Sequence, residues 1–572
     1  MKKLLFICLL LASLSMTSFA TEAKAANATL KKMTFTMNGL NYSLPTYHIN
    51  GQVYVSLDRL TPVFANAKNY YTFDFSGNKL TLYPKTRLVE LIYSMPDSKT
   101  NPYAAPKVFH VKVTGKKGTT KINGYMIEDM EYVKLSDMRK LLNTRYEQKG
   151  NHTIVFKNEL PANTIFLEKS TKEENLKTAS HPRWAEAIKD FIYKNDDGSI
   201  TTVEGYDNIK ITTYNSQFKK IKTKNLTKEL PIFGTFYSGK KYNYISYGQN
   251  NLKEKNIEVV RIVKYDKNFK RLGAVSIKGY AEEITKPFDA SSGGRMAELG
   301  DVLIYHTSKE IFKIDNVNHQ TNAIFFVNTK TMKQVESDAY NAPYVSHSFD
   351  QYVLADENGP AYLSHGDSYP RSIHLASKTT IEDPYEFNED ELYKNQSLDL
   401  YQIYGQNGAN VTGVSIGGFE ASKSHYIVAF NAIKQKKSYK YGTYELTGGN
   451  VNRRNVYVYS TPKNVTSSQK IMKTTLARYD NTQKYTSTPT LVKIDHTHFV
   501  AMWEEFKSNK TSNGLKYVLL DEKGKKISKV YKNQYLRLSN VQPTIKNKKI
   551  IWYSHTHNAK ILYKLDYQPL LK

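Results

Sequence analysis

The sequence predicts a mainly β protein in which two small α+β modules precede a β-propeller of six or seven blades. Three observations support this fold class. Tyrosine is abundant, with 44 residues against 24 Phe and 3 Trp, and Tyr, Thr, Val and Ile favour the half-buried surface of a sheet. A short strand–helix–strand pattern occurs twice near the start of the chain. A lysine-bearing hairpin then recurs from about residue 199 onward.

Residues 1–25 are expected to form a signal peptide. A positively charged start leads into an apolar run from Leu4 to Met16, and small-x-small cleavage patterns end at Ala20 and Ala25. The protein is therefore expected to be secreted and to act extracellularly or at a Gram-positive cell wall. Cys8, the only cysteine, lies in this segment, so disulfides are not expected in the mature chain. No later run is apolar enough to predict a transmembrane segment.

The charge of the chain indicates a polyanionic partner. Its formal net charge is +28 at pH 7, and an exported protein this basic is attracted to wall polymers, acidic polysaccharide or anionic lipid headgroups. Export argues against nucleic acid as the partner. The alternative is a solvated basic surface that keeps the protein soluble, because the lysines are scattered along the chain rather than gathered in one block.

The first small module is predicted at residues 30–84. Asn50-Gly51 between two extended runs is typical of a tight hairpin turn. From Leu57 to Ala65 the apolar residues recur at helical spacing, which predicts a short helix with one buried face. Ser76-Gly77-Asn78 then joins two strands that close the module.

The same order of elements recurs in a second, divergent copy at residues 108–158. Ile122-Asn123-Gly124 is predicted to form its turn, Ser136 to Leu142 its helix, and Thr144 to Phe156 its closing hairpin. The sequence therefore indicates an internal duplication.

Both copies resemble the copper amine oxidase N-terminal-like domain of bacterial surface and secreted proteins. In the first copy the resemblance depends on Pro45, Asn50-Gly51, Val55-Ser56-Leu57 and the closing hairpin. The usual Val-Pro-Leu-Arg run of the family is Val-Ser-Leu-Asp here, and the second copy departs further. The resemblance implies spacer or stalk domains, and it assigns no catalytic residue to this chain.

An amine oxidase activity is not expected. Copper amine oxidases make their quinone cofactor from the Tyr of an Asn-Tyr-Asp/Glu motif. The Asn-Tyr pairs of this chain are followed instead by Ser43, Tyr71 and Ile245. The motif that would supply the cofactor is therefore missing.

Residues 159–198 are predicted to be a charged connector that contains one helix. Between Pro182 and Tyr193, apolar residues recur at a spacing that places them on one helical face, and Asn195 to Gly198 would end the helix. The residues on that face are Trp184, Ile188, Phe191 and Ile192.

Residues 199–572 are predicted to form the propeller. An apolar strand, a polar turn with Lys and a returning strand recur at the turns NSQFKK, DKNFKR, NTKTMKQ and DEKGKK. Repeated four-stranded units of roughly 40–60 residues are what propeller blades require. A series of β-sandwiches is the alternative. The propeller is favoured because no second linker interrupts this stretch.

Polar and aromatic residues concentrate between His306 and His374, which predicts a site at the propeller mouth. The residues expected to bind a ligand are His306, His319, Gln320, Asn322, Asp350, Gln351 and Asp367. Those expected to act as catalytic groups, if the site performs chemistry, are His347, His365, Tyr369 and Arg371. A His, a Tyr and an Arg side by side suit proton abstraction next to a carboxylate. The alternative is that these side chains only hydrogen-bond the loops together.

No metal and no cofactor are predicted. His496-Thr497-His498 and His555-Thr556-His557 each place two imidazoles on one side of a strand, but zinc needs a third protein ligand that the sequence does not identify. The chain has no P-loop, no HExxH and no G-x-S-x-G. Trp503-Glu504-Glu505 suits sugar stacking and hydrolysis, with packing in a blade core as the alternative.

Recognition of an anionic glycan or a partner protein is the function that the sequence predicts best. The first alternative is a polysaccharide lyase or glycoside hydrolase that acts on an acidic glycan. The second is a non-catalytic scaffold for protein partners, which would expose an apolar patch rather than a polar pocket.

Overall fold

The computed structural model describes residues 25–571, apart from 69, 85–97, 143, 157–159, 280–282, 290–292, 315, 336–344, 358, 378–395 and 464–469. Residues 1–24 of the predicted signal peptide, with Cys8, lie outside the described residues. The protein is mainly β, with 58% strand and 4% helix. It divides into two compact units, one up to residue 159 and one from residue 160 onward. In the described part of the chain, no helix is long and apolar enough to cross a membrane.

The N-terminal unit is one eleven-stranded sheet with two short helices. Its strands are β1 (Ala26–Asn27), β2 (Thr29–Met37), β3 (Leu40–Ile49), β4 (Gln52–Ser56), β5 (Tyr71–Ser76), β6 (Lys79–Pro84), β7 (Tyr103–Val113), β8 (Thr120–Ile127), β9 (Met130–Lys134), β10 (Tyr146–Lys149) and β11 (Thr153–Phe156). The helices are α1 (Leu57–Phe64) and α2 (Leu135–Leu142). Both helices begin within one residue of the predicted positions.

The sheet of this unit shows the internal duplication directly. Three strands, a helix and a hairpin occur in β2 to β6 and again in β7 to β11. Each closing hairpin pairs in parallel with the first strand of the other copy, β6 with β7 and β11 with β2. Phe35, Leu60, Phe109 and Met138, which come from both copies, pack in one buried core. The two copies therefore form one compact unit instead of two separate modules.

The turn of the second copy differs from the prediction. Ile122-Asn123-Gly124 lies within β8, and the chain turns instead at Glu128 and Asp129, whose φ angles are 52° and 60°. Gly124 faces the ring of Phe109 and the carbonyl of Tyr132 so closely that a Cβ would clash with both. The glycine is therefore explained by close packing within a strand and not by a turn.

The C-terminal unit is built of strands, with a short 3-10 helix at Gln568–Leu570. The first half contains β12 (Thr164–Lys169), β13 (Asp190–Lys194), β14 (Ile200–Gly205), β15 (Ile209–Tyr214), β16 (Lys220–Leu226), β17 (Ile232–Ser238), β18 (Asn243–Gly248), β19 (Glu258–Tyr265), β20 (Arg271–Lys278), β21 (Lys286–Pro287), β22 (Arg295–Leu299), β23 (Val302–Ile314), β24 (Val317–Asn328), β25 (Lys333–Gln334), β26 (Ser346–Asp356), β27 (Gly359–Tyr369), β28 (Ser372–Ser377) and β29 (Gln396–Gln402).

The second half contains β30 (Val414–Ala421), β31 (His425–Ile433), β32 (Lys440–Tyr441), β33 (Leu446–Thr447), β34 (Arg454–Pro462), β35 (Met472–Ala477), β36 (Tyr485–Thr486), β37 (Thr490–Lys493), β38 (Phe499–Phe506), β39 (Ser512–Leu520), β40 (Tyr531–Asn533), β41 (Thr544–Lys546), β42 (Lys549–Thr556) and β43 (Ala559–Asp566).

These strands form the predicted β-propeller. Five blades stand as separate sheets: β13 to β16, β17 to β20, β30-β31-β34-β35, β36 to β40, and β12 with β41 to β43. A nine-stranded sheet, β21 to β29, occupies the chain between the second and third of them. Apolar cores lie between consecutive sheets. Val203 and Ile211 of one blade pack with Phe236 and Ile245 of the next, and Val458 packs in a core with Trp503.

Asn or Asp begins each of the four predicted lysine-bearing turns. The Oδ1 atoms of Asn215, Asp266 and Asp521 accept hydrogen bonds from the backbone N–H groups two and four residues further on. Asn328 Oδ1 accepts hydrogen bonds from the backbone N–H groups of the residues two and three positions further on. The recurring hairpin is thus confirmed, and an Asx-type hydrogen bond explains why the turn starts where it does.

The helix predicted at Pro182–Tyr193 does not form. Asp190–Lys194 is instead β13, which pairs with β14 across the turn Asn195–Gly198. Phe191 packs against Phe236 of the next blade, with ring centroids 5.6 Å apart. The ladder with β14 and this contact between blades outweigh the helical periodicity of an isolated segment.

The pairing of β12 with β43 closes the propeller. The register runs from Thr164 opposite Tyr563 to Lys169 opposite Ala559. Lys560, which is fully buried on β43, donates to Thr202 Oγ1 at 2.8 Å and to the carboxylate of Glu204, both on β14. A buried ion pair therefore ties the last blade to the first.

Loss of one partner of this ion pair is expected to destabilise the propeller. Glu204→Gln leaves the Lys560 charge buried with less compensation, so the free energy of unfolding should fall by about 3–5 kcal/mol. The double variant Glu204→Leu/Lys560→Met removes both charges and should recover most of that loss. Urea unfolding followed by tryptophan fluorescence reports on this unit, because all 3 Trp lie within it.

The exposed Glu254 provides the matched control. Glu254→Gln makes the same chemical change without touching the closure and should leave the unfolding curve unchanged. If Glu204→Gln unfolds at the same urea concentration as wild type, the closure does not depend on this ion pair.

Candidate functional site

An irregular segment between β12 and β13, Leu176–Ile188, crosses the inner ends of several blades. The Lys177 ammonium donates to the carbonyls of Thr488 and Pro489 at 3.2 and 2.9 Å, and to Thr490 Oγ1 at 2.8 Å. The backbone N–H of Ala185 donates to the carbonyl of Phe349 at 3.3 Å. The segment is therefore tied to blades far apart along the chain.

This segment and the first strands of the blades line a partly open cavity of about 160 Å³. Apart from His365 of β27, the lining residues on strands come from β22, β26, β30 and β37, and residues 540–542, which precede β41, also contribute. In a propeller these innermost strands surround the axis, so the cavity lies in the central channel. Its charged and aromatic lining residues include Lys177, Arg183, Trp184, Glu186, Arg295, Asp350 and Tyr352.

Charges of both signs face each other inside the cavity. Arg295 Nη1 lies 3.7 Å from Asp350 Oδ1, and the Arg295 guanidinium stacks on the Tyr352 ring at 4.3 Å from its centroid. Burial lowers the pKa of Lys177 to about 7, although the nearby Asp350 carboxylate opposes the shift. The cavity is therefore a polar site whose net charge changes near neutral pH.

Two of the predicted site residues, Asp350 and His365, line this cavity. They are Cα partners across β26 and β27. The ring of His365 shares a hydrogen bond of 2.9 Å with Thr412 Oγ1 and stands edge-on to Phe349. Burial lowers the pKa of His365 to about 3, with Arg454 and Arg371 adding to the effect, so its imidazole is neutral at physiological pH.

Four other predicted residues belong to a buried hydrogen-bond network between strands β23, β24 and β26. His306 Nδ1 bonds the carbonyl of Tyr352 at 2.9 Å, and burial lowers the pKa of His306 to about 4. The remaining members are Gln320, Asn322 and Gln351, which bond backbone groups of Ser348 and Val345. These side chains fasten strands together. His319, on β24, is half-buried.

Three further predicted residues support loops at the edge of the channel. His347 Nδ1 lies 2.9 Å from Asp367 Oδ1. The Arg371 guanidinium donates to the carbonyls of Tyr404, Asp367, Ala409 and Val411 at 2.9, 3.2, 2.6 and 3.2 Å. Arg371 therefore fixes the loop between β29 and β30.

Tyr369, the last predicted catalytic residue, lies on the surface with 72% of it exposed. Of the four proposed catalytic groups, only His365 lines the cavity. The structure does not bring His347, His365, Tyr369 and Arg371 to one cavity.

The loop that Arg371 holds forms one wall of an open groove of about 680 Å³. The other wall comes from residues 436–441, between β31 and β34. The groove presents three exposed lysines, Lys436, Lys437 and Lys440. Three tyrosines also line it: Tyr404 is exposed, Tyr439 is half-buried and Tyr441 is buried. Within the described part of the chain, no carboxylate forms an ion pair with these three lysines. The groove is therefore both basic and aromatic.

The sequence prediction missed the groove and most of the cavity. The run KQKKSYKYGTY at 434–444 was the available signal, because it alternates lysine with tyrosine. Lys177, Arg183 and Trp184 lie in the segment that the sequence predicts to be a connector with one helix. Arg295 is isolated in sequence from the other cavity residues, so only the folded ring reveals it.

Other predicted motifs have structural roles. Trp503 is fully buried and donates to Tyr479 Oη at 3.0 Å, and Glu504 is buried against Arg537. His555 is buried beside Asp190 at 3.2 Å. Among the described residues, no group of three or more His, Cys, Asp or Glu side chains is arranged to hold a metal ion.

The fold and the cavity define a β-propeller protein with a polar central channel. No family model matches the chain, and no curated protein matches it. The WD40 domain of Neurospora crassa Pan2 is 6% identical and covers 67% of this chain and 91% of its own, with a TM-score of 0.32. The N-terminal domain of Nup159 is 11% identical, and the match covers 70% of this chain and 95% of that domain, with a TM-score of 0.31.

A third solved structure is the α-L-arabinofuranosidase Arb93A from Fusarium graminearum. It is 9% identical and covers 70% of this chain and 100% of its own, with a TM-score of 0.33. These TM-scores are too low to carry an argument about this chain. The propeller is therefore established by its own strand order and by the cores between its sheets.

Arg371→Met is expected to destabilise the propeller and loosen the groove. The substitution removes the arginine donor from the carbonyls of Tyr404, Ala409 and Val411, while the Asp367 carbonyl keeps the N–H of Gly408. The free energy of unfolding should therefore fall by about 2–4 kcal/mol. Urea unfolding measures the loss. Arg478 is exposed, so Arg478→Met is the matched control and should match wild type. Equal stability of both variants would contradict a clamping role for Arg371.

The stability of the propeller is expected to depend on the protonation of Lys177. Its folded pKa of about 7 lies below the ordinary value of 10.5, so between these pH values the unfolded chain binds a proton that the folded chain has released. The contribution of Lys177 to the free energy of unfolding therefore increases as the pH rises through this window. Lys177→Met removes that contribution.

Urea unfolding of wild type and Lys177→Met at several pH values between 7 and 10.5 tests this dependence. Relative to wild type, the free energy of unfolding of Lys177→Met should be highest near pH 7 and should decrease as the pH rises. A difference that stays constant across the window would show that Lys177 has an ordinary pKa in the folded protein.

Proposed function

We propose that the protein is secreted or cell-wall-associated and binds an anionic glycan through the groove of Lys436, Lys437 and Lys440. The observation that carries this proposal is the combination of three exposed ammonium groups with three tyrosines in one open groove. Ammonium groups attract carboxylate or phosphate, and aromatic rings supply the flat apolar surface on which a sugar ring packs.

The electrostatics of the chain support a polyanionic ligand. The net charge of +28 raises the local concentration of polyanions around the protein. Lys436 lies over the Tyr439 ring at 5.6 Å from its centroid, so one lysine is already oriented by the aromatic wall. A carboxylate polymer and a phosphate polymer share the chemistry that this groove recognises.

We also propose that the propeller has seven blades. The nine-stranded sheet contains two successive antiparallel sets of four strands, β22 to β25 and β26 to β29. In the described residues, the ladder between β24 and β26 consists of the single pair Thr321 and Ser346. Each set has the strand order of a separate blade, and two blades added to the five separate sheets make seven.

The N-terminal unit serves as a stalk of the copper amine oxidase N-terminal-like type. Support comes from the repeated order of three strands, one helix and a hairpin in both copies.

Neutralising the groove lysines is expected to weaken glycan binding. Lys436→Gln/Lys437→Gln/Lys440→Gln removes three charges, each worth about 0.5 kcal/mol, so affinity for polygalacturonate should fall by about tenfold at low salt. Isothermal titration calorimetry at two salt concentrations measures this loss. The variant should also show a weaker salt dependence than wild type.

The turn between β39 and β40 supplies a matched control with the same change in charge. Lys523→Gln/Lys525→Gln/Lys526→Gln removes three exposed lysines outside the groove and should bind like wild type. A glycerol phosphate polymer tested in parallel distinguishes phosphate from carboxylate recognition. If wild type binds neither polymer, or if both triple variants lose the same affinity, the groove is not a glycan site.

A further inference from the structure

We infer that the central cavity binds the terminal sugar-acid residue of the glycan whose chain lies in the groove. This inference rests on the proposed function, since it assigns the end of the same ligand. Four observations support it: the size of the cavity, its polar lining, the contacts that join it to the groove, and the segment that covers it.

The size of the cavity suits one sugar ring. Its volume is about 160 Å³, and a protein cavity of about 150 Å³ holds a single six-membered ring such as benzene. A second ring would have to lie outside this space. A residue in the middle of a polysaccharide has neighbours on both sides, so a cavity of one-ring size accepts only a chain end.

The lining of the cavity suits a sugar that bears a carboxylate. Arg295 brings positive charge, and a guanidinium binds a carboxylate through two parallel hydrogen bonds. Asp350 and Glu186 are acceptors for sugar hydroxyls, and Trp184 adds an aromatic wall. Arg295 Nη1 and Asp350 Oδ1 lie 3.7 Å apart, so a guanidinium for the carboxylate and an acceptor for a hydroxyl stand side by side.

Arg183 joins the cavity to the hairpin beside the groove. Its guanidinium lies 4.6 Å from the Trp184 ring of the cavity and 5.2 Å from the ring of Tyr444. Arg183 Nη1 also donates to the carbonyl of Thr443 at 3.0 Å. Thr443 and Tyr444 follow Tyr441 of the groove on the β32–β33 hairpin, so one arginine contacts both parts of the site.

The segment Leu176–Ile188 gives the cavity a wall that a plain propeller channel lacks. Lys177 and His181 attach it to residues 486–490, and Glu186 Oε2 accepts from Asn540 Nδ2 at 2.9 Å. Because anchors at both ends hold this wall, the one-ring space exists before a ligand enters. A preformed site loses less conformational entropy on binding.

Binding of D-galacturonate, measured by isothermal titration calorimetry or saturation-transfer NMR, tests the inference. Wild type and the control variant Lys523→Gln/Lys525→Gln/Lys526→Gln should bind this monosaccharide equally well. Arg295→Gln should reduce its affinity by at least tenfold. D-galactose, which has the same ring without the carboxylate, should bind at least tenfold more weakly to wild type.

Thr178→Trp provides a second test of the inference, because Thr178 is an exposed residue of the segment that lines the cavity. The larger side chain fills the space without removing a charge and should abolish binding of galacturonate. Thermal unfolding establishes that each variant is folded. Failure of wild type to bind galacturonate, or equal binding by wild type and a folded Thr178→Trp, would overturn the inference.

The outcomes separate this inference from the proposed function. Binding of polygalacturonate by wild type together with no binding of the monosaccharide leaves the groove as the site and removes the cavity from it. If the groove variant loses polymer binding while Arg295→Gln and Thr178→Trp keep it, the polymer binds in the groove and the inference about the cavity is wrong. Failure of wild type to bind any anionic polymer overturns the proposed function itself.

Discussion

Closure of the ring by β12 and β43 is the constraint on which the rest of the propeller depends. A propeller blade that lacks its outer strand leaves an unpaired edge, and an open ring lets the first and last blades separate. Here β12, the first strand of the C-terminal unit, pairs with β43 and so completes the last blade. The segment that leaves β12 must then return to the first blade, and its path between the two crosses the channel and forms the wall of the cavity.

Polar groups hold this junction. Asp190 accepts hydrogen bonds from Asn175 Nδ2 at 2.8 Å, Tyr206 Oη at 2.7 Å and Tyr553 Oη at 3.2 Å. Burial by itself would raise the pKa of Asp190, but hydrogen bonds from His555 and these neighbours hold it below its usual value. A buried network of this kind tolerates only one arrangement, because each unsatisfied partner costs free energy. The junction therefore also sets the register in which the ring closes.

How far the sequence predicts this fold depends on the range of the interactions. The turns at Asn215 and Asp266 are local, so their residues reveal the repeating hairpin. The helix expected at Pro182–Tyr193 fails because Phe191 obtains its packing from the next blade. The turn expected at Gly124 fails because that glycine is needed for contact with Phe109 across the sheet. Contacts between strands distant in sequence decide both cases, and one sequence does not show them.

The same distinction applies to the site. The concentration of His, Asp and Arg between His306 and Arg371 is real, but burial gives most of these residues a structural role. A histidine such as His306, whose charged form is disfavoured by burial, bonds the backbone of a neighbouring strand. Asp350 and His365 reach the cavity because their positions on β26 and β27 face the channel. The residues that complete the cavity come from other blades and from the crossing segment.

Two arginines connect the structural and the ligand-facing parts of the molecule. Arg371 holds the loop that carries Tyr404 through hydrogen bonds to carbonyl groups. Arg183 holds the β32–β33 hairpin from the side of the cavity. Each uses the planar guanidinium to fix backbone that has little regular structure of its own. Loops positioned in this way are ordered before a ligand arrives, so the exposed lysines between them are presented by a rigid propeller rather than by mobile chain.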